Sequence, residues 1–197
     1  FQGIFAIDVK ATVDSSLTLL TLWRHECMRV FSDKLVDNQD KKWFANEIMV
    51  VLDSYSSKHG ADIAALKEAP LSTFVDFMEE GGEDPETGEP LPAPKIYRPF
   101  KADALDTVKE RAVEFMKKFN EQFKLMRMDL VFFSDALEHL TRITRLWGLS
   151  RGCALLVGVG GSGKQSLTRL AAFISGFSVF QIKLTQSYSM SDFKQDV

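Results

Sequence analysis

The chain has 197 residues, with 24 Lys and Arg against 27 Asp and Glu, a net charge of −3 at pH 7, and is 45% hydrophobic and 26% charged. This composition suits one large globular domain or two small ones. The charge balance offers no footprint for nucleic acid, and no apolar run reaches the length of a membrane span. Two cysteines far apart, Cys27 and Cys153, support no disulfide scaffold and point to a reducing compartment.

The opening Phe1-Gln-Gly-Ile-Phe5 reads as the interior of a longer polypeptide, and Ile4–Val9 is the strongest strand signal in the first eighty residues. From Asp14 to about Val36 the pattern is helical, with Asp14 as a cap and Ser15 and Ser16 behind it. Leu17, Leu20, Trp23, Cys27, Val30 or Phe31, and Leu35 recur at spacings of three and four and form one apolar stripe. Arg24, His25, Glu26 and Arg29 fall beside or opposite it. His25-Glu26 resembles half of a zinc helix, but the position four residues on is Arg29, so a solvated or lightly hydrogen-bonded His25 is expected. A second amphipathic helix runs over about Lys41–Tyr55, with Trp43, Phe44, Ile48, Val51 and Leu52 on one face. A third, short helix is expected over Leu71, Phe74, Val75, Phe77 and Met78. Residues 1–80 therefore read as a small helical bundle.

Composition then changes. Between Glu79 and Pro99 lie five of the six prolines, three glycines and six acidic residues, among them Glu83, Asp84, Glu86 and Glu89. Residues 81–99 are expected to be a linker or long surface loop. No spacing ties its carboxylates into a metal site, so a solvated loop is the expectation. After this boundary, Asp103 can cap a long helix to about Phe123, with Leu105, Val108, Ala112, Phe115, Phe119 and Phe123 as its core stripe. Met128–Phe133 is a short apolar run, and Leu130 to Phe133 are candidates for contacts to a nucleotide base. Ser134 caps a helix to about Trp147, with Gly148 as a C-terminal stop. Leu137, Leu140, Ile143 and Trp147 face inward, and Arg142 and Arg145 face the other way.

Next comes an apolar strand, Cys153–Val157, in which Cys153 reads as a small core residue, and then Gly158-Val159-Gly160-Gly161-Ser162-Gly163-Lys164-Gln165-Ser166 leading into a helix over Leu167–Ile174. Strand, glycine-rich turn, Lys and helix is the layout of a P-loop. The glycines let successive N–H groups turn inward, the helix N-terminus adds partial positive charge, and Lys164 reaches the terminal phosphates. These nine residues are the expected nucleotide-binding set, with ATP or ADP as ligand. The pattern places Ser or Thr after the Lys to hold Mg²⁺; here Gln165 stands there and Ser166 follows, so either could contribute an oxygen to the metal. Gly158, Gly160 and Gly163 also match G-x-G-x-x-G. That dinucleotide fingerprint needs an acidic residue about twenty positions on, and no Asp or Glu occurs from Gly152 to Ser191. A second strand, Phe177–Leu184, and a helix opening at Ser189 end the chain. Strand, P-loop, helix, strand opens a right-handed parallel α/β unit. No apolar run ending in Asp-Glu follows residue 184, so the acid that positions metal and water lies outside this sequence, and no catalytic residue is expected within it. A free-standing P-loop NTPase or small kinase would need that acid and a complete sheet. A scaffold that keeps the loop only as a rigid turn is the remaining alternative.

Trp23-Arg-His-Glu-Cys-Met-Arg-Val30, Pro94-Lys-Ile-Tyr97, Val131-Phe-Phe-Ser-Asp-Ala-Leu-Glu-His139, Ala154–Leu170 around the P-loop, and Tyr188-Ser-Met-Ser-Asp-Phe-Lys194 together resemble a dynein heavy chain of the axonemal (ciliary) type. The resemblance implies an AAA+ fold: an all-α lid subdomain of the third module over residues 1–80, a linker over 81–99, and the first part of the P-loop α/β subdomain of the fourth over 100–197. It implies a regulatory nucleotide site, because in that family the first module performs the main hydrolysis and the fourth tunes the cycle. Gln after the P-loop Lys is similar to what fourth modules carry. Arg24 is placed toward a nucleotide of the third module. The implied partners are the other AAA+ modules of the same chain, with microtubules and the light and intermediate chains meeting other parts of it. The implied location is the cytoskeleton of the ciliary axoneme. Nothing in the sequence matches the stalk or the tail, and no nucleic-acid or membrane partner is implied.

Overall fold

The computed structural model describes residues 4, 9–59, 63–68, 72–89, 91–101, 104–182, 185 and 187–196. The N-terminal part is helical: α1 (Val9–Thr12), α2 (Ser16–Cys27), a π-helical turn (Met28–Ser32), α3 (Asn38–His59) and α4 (Ala64–Glu68). Ile4 is buried, whereas residues 5–8 of the expected Ile4–Val9 strand lie outside the described residues. Ser15, not Asp14, caps α2: its Oγ accepts from the Thr18 amide at 3.2 Å, while Asp14 accepts from the Thr18 hydroxyl.

α2 has two inward faces rather than one stripe. Leu22 packs with Phe74 and Tyr97, and Leu20, Trp23 and Cys27 lie against Ile48, Leu52, Ile63 and Leu66. Leu17, Val30 and Phe31 of the expected stripe are exposed, while Arg24, His25 and Glu26 are buried. The spacing signal found the face of Leu20, Trp23 and Cys27 and missed the second one, because charged residues with distant partners carry no apolar periodicity. On α3, Ile48 and Leu52 are buried as expected, but Trp43 and Val51 are exposed.

The segment expected as a third helix is instead a strand. β1 (Ser72–Val75) pairs antiparallel with β2 (Arg98–Lys101), Phe74 facing Pro99 and Val75 facing Arg98. Thr, Phe and Val suit a pleated surface, and short apolar runs do not separate helix from strand by period. Pro99 is tolerated because β2 is an edge strand. Between the strands the chain is irregular. Asp84 accepts from the Glu86 and Thr87 amides at 2.8 and 3.1 Å, so the acidic loop is organised by turns. Its start is pinned: Arg111, itself buried, donates to the Phe77 and Glu79 carbonyls and pairs with Glu80 and Glu114.

The second part is built on α5 (Leu105–Gln122), α6 (Ser134–Trp147) and α7 (Lys164–Ser175), with a short α8 (Met190–Asp196) at the end. Asp103, the expected cap of α5, lies outside the described residues. Val108, Ala112 and Phe119 of α5, Leu137, Leu140 and Ile143 of α6, and Leu167, Leu170 and Ala171 of α7 form one buried cluster with Val75 and Phe77. Phe115, Phe119 and Phe123 surround Phe173 edge-on, with ring centroids 6.5, 5.4 and 6.2 Å away. The aromatic stripe of α5 is therefore core. Ser134 does not cap α6; it is the first helical residue, and the preceding Phe133 offers no side-chain cap. Gly148 ends α6 in right-handed rather than left-handed geometry. Ser189 and Asp192 do form a reciprocal cap at α8, with bonds of 2.7 and 3.3 Å.

Candidate functional site: the glycine loop and its cleft

The loop is delivered by α6 and opens α7. After Gly148 the chain turns through Arg151, whose φ of 58° is left-handed, and runs into residues 152–157. The expected strand Cys153–Val157 forms no ladder, and neither do the described residues of Phe177–Leu184; Lys183 and Leu184 lie outside them. Leu155 and Val157 are 90% and 86% exposed, and Cys153 is exposed rather than a core residue. A parallel strand is stabilised by neighbours on both edges and by cover on both faces. Among the described residues the only sheet is β1–β2.

Gly161 and Gly163 have φ of 79° and 76°, a region that residues with a side chain rarely enter, so the turn needs glycine there. At Gly158 the approach is close: a Cβ on it would lie 3.2 Å from Ser162 Oγ and 3.5 Å from Lys164 Nζ, so these side chains would have to give way slightly. Lys164 is the first residue of α7, and its ammonium folds back across the loop. It donates to the carbonyls of Gly158 at 2.6 Å and Val159 at 2.7 Å and meets Ser162 Oγ at 3.1 Å. All three donors of the ammonium are engaged by the loop. The first-turn N–H groups of α7 have no intrahelical acceptors, and Cβ atoms at Gly160 or Gly161 would meet nothing within 4 Å. Room, a helix N-terminus and a cation lie within one short loop. These features fit an anionic phosphate chain.

The metal side of the site is thin. Gln165 is exposed and Ser166 half-buried, and both can offer only a neutral oxygen. Among the described residues no group of three or more His, Cys, Asp or Glu could hold a metal ion, the acidic loop included.

A cleft of about 710 Å³ opens beside the loop. One wall is α6, through His139, Arg142, Ile143 and Leu146; the other is 153–157; Gly158, Val159, Ser162 and Lys164 close one end. Of the apolar run Leu130 to Phe133, only Leu130 approaches the loop, its Cδ2 3.7 Å from where a Cβ on Gly163 would stand. Val131 and Phe133 are exposed and none of the four lines this cleft.

Sequence reasoning missed a charged seam between α2 and α6. Arg145 was expected on the outer face of α6, yet it is buried and donates from Nε to Glu26 Oε1 at 2.9 Å and from Nη2 to Glu26 Oε2. The fork–carboxylate match satisfies both buried charges. His25, expected to be solvated or lightly hydrogen-bonded, is buried against Phe74 with ring centroids 5.3 Å apart and hydrogen-bonds with the Ser72 backbone. Burial first, then Arg29 and Arg145, hold its pKa down to about 3. Arg24 donates to the Leu66 carbonyl at 3.1 Å, inside the helical bundle. The one signal available in sequence was negative: Arg24, His25, Glu26 and Arg145 sit among apolar residues without an i+4 partner of opposite charge.

A family model described as P-loop containing dynein motor region D4 matches residues 128–197, and one described as AAA+ lid domain matches residues 1–63. The chain is 40% identical over 202 residues to Dynein axonemal heavy chain 5 of Mus musculus and 40% identical over 202 residues to Dynein axonemal heavy chain 8 of Homo sapiens; all of the chain aligns in both cases, with 4% of each relative. It is 42% identical over 176 residues to the Dynein gamma chain, flagellar outer arm, of Chlamydomonas reinhardtii, covering 88% of this chain and 4% of that one. The chain thus spans about 4% of the length of the curated relatives it matches. With homologues along its whole length among axonemal heavy chains, and a lid followed by a P-loop region in the order of a motor ring, the chain belongs to the dynein heavy-chain family as a segment of the AAA+ motor.

Proposed function

We propose that Gly158 to Ser166 hold the polyphosphate tail of ATP or ADP and that this is a regulatory nucleotide site of a ciliary dynein ring. The observation that carries the reading is Lys164: a cation anchored on the first residue of α7, folded over a loop whose glycine positions leave open space. Anionic oxygens compete well against neutral carbonyls for an ammonium, because a full negative charge adds Coulomb attraction that a carbonyl dipole lacks. Phosphate therefore displaces Gly158 and Val159 from Lys164, while Gly160, Gly161 and Gly163 allow the backbone to close on it. Gln165 or Ser166 stands nearest any Mg²⁺, which when bound neutralises phosphate charge. Neither is acidic, and the segment is not expected to hydrolyse ATP alone. The proposed organisation is a lid subdomain over 1–80, a linker over 81–99 and a P-loop subdomain over 100–197. The remaining AAA+ modules are its immediate partners. Microtubules and light or intermediate chains are engaged by other parts of the heavy chain, in the axoneme.

A scaffold reading has one observation in its favour, since the loop already satisfies Lys164. Photolabelling separates the two. In the full-length heavy chain, 8-azido-ATP labelling is quantified on the proteolytic peptide that contains residues 153–166. Lys164→Ala is expected to lower that labelling roughly ten- to hundredfold. Unchanged labelling would favour the rigid-turn scaffold.

A further inference from the structure

α6 carries two arginines one turn apart that are held in different ways. Arg145 is locked, with both faces of its guanidinium fork engaged by Glu26 and both side chains under 10% exposed. Arg142 is held loosely. Its Nη2 donates to Glu138 on its own helix at 2.9 Å, and its Nε lies 3.3 Å from Asp33 Oδ2 but without hydrogen-bond geometry. Asp33 closes the π-helical turn after α2 and is shared with Arg29 at 3.2 Å. Arg142 is 30% exposed on its side chain, and it lines the same cleft as Lys164. One cation therefore faces the α2 bundle on one side and the phosphate-loop cleft on the other.

We propose that Arg142 is a positioning residue that couples the two halves of the chain: Asp33 holds it on the seam, and an anionic ligand in the cleft competes with Asp33 for it. This deepens the nucleotide-site reading and rests on it. Glu26–Arg145 is the fixed point of the seam, and Asp33–Arg142 is the part that opens. A misaligned, shared, partly exposed ion pair is the weaker of the two, so it is the one a polyanion can take. By reciprocity, the factor by which the Asp33–Arg142 pair weakens nucleotide binding is the factor by which bound nucleotide weakens the pair.

The test uses the full-length heavy chain and 8-azido-ATP labelling of the 153–166 peptide, with amide exchange of residues 28–36 as a second readout. Asp33→Asn frees Arg142 and is expected to raise labelling by about fivefold. Arg142→Gln is expected to lower labelling and to abolish the response to Asp33→Asn. ATP is expected to speed exchange over residues 28–36 in the wild type and in Arg142→Lys, but not in Arg142→Gln; the lysine variant guards against a simple folding defect. A response to Asp33→Asn that persists in Arg142→Gln, or exchange that ATP leaves unaltered in the wild type, overturns the coupling. Lys164→Ala separates the two proposals: if it abolishes labelling while Asp33→Asn does nothing, only the coupling falls, and if it leaves labelling unchanged, the nucleotide reading falls first.

Discussion

The helical block and the extended segments that flank the phosphate loop are both rich in apolar residues, and they fare differently. Leu140 and Leu170 are fully buried between α5, α6 and α7, whereas Leu155, Val157 and Phe180 stand in solvent. A helix closes its own backbone hydrogen bonds and needs cover on one stripe only. A strand of a parallel sheet needs partners on two edges and cover on two faces. The first requirement is met within these residues and the second is not. The glycine loop therefore hangs between a packed scaffold, α6 and α7, and extended segments that form no ladder among the described residues. Its geometry is set from the helical side, through the capping turn at Gly163 and the anchoring of α6 by Arg145.

Removing that anchor is the harshest test of this contrast. Glu26→Ala leaves Arg145 buried without its carboxylate, and breaking one partner of such a pair costs about 3–5 kcal/mol. Urea unfolding of the 197-residue chain is expected to show a loss of that size; a loss below about 1 kcal/mol, the surface-pair range, would mean that α6 is held by its apolar face alone. A matched pair of leucines comes next. Leu140 is fully buried and Leu155 is 90% exposed. Leu140→Ala is expected to cost about 2–5 kcal/mol, and Leu155→Ala to stay within about 0.5 kcal/mol. Similar losses at both positions would show that residues 153–157 are packed in solution.

The same contrast explains what was legible in the sequence. The stripes of α5 and α6 emerged from local spacing because each packs one face on the other helices. The glycine pattern at 158–163 was legible because the left-handed φ values at Gly161 and Gly163 require glycine. Apart from the helix caps at Asp14, Ser134 and Gly148, the misses are cases where the deciding partner is distant. Arg145 looked solvent-facing because its carboxylate is 119 residues away. His25 looked free because the residues that cover it, Phe74 and Ser72, were assigned to a helix rather than to β1. The strand at Cys153–Val157 was expected to be buried because its composition suits a sheet core, and composition alone does not show whether the sheet is present.

His25 offers the mildest perturbation, a change of pH. Its folded-state pKa is lowered to about 3, mainly by burial and then by Arg29 and Arg145, against an unfolded value near 6.5. The unfolded chain therefore binds this proton first. The stabilising effect of a neutral His25 is complete above about pH 6.5 and is lost as pH falls toward the folded value, at about 1.4 kcal/mol per pH unit. Asp33 and Asp76 act in the opposite sense, because burial raises their pKa values and the folded state takes their protons first. The net profile mixes these contributions, so the informative quantity is the difference between wild type and His25→Gln, in which the carboxylates cancel. Urea midpoints between pH 7 and 5 are expected to fall more steeply for the wild type than for the variant. Parallel profiles would mean that His25 takes up a proton without leaving its place beneath β1, and that the seam between the two halves is open enough to solvate it.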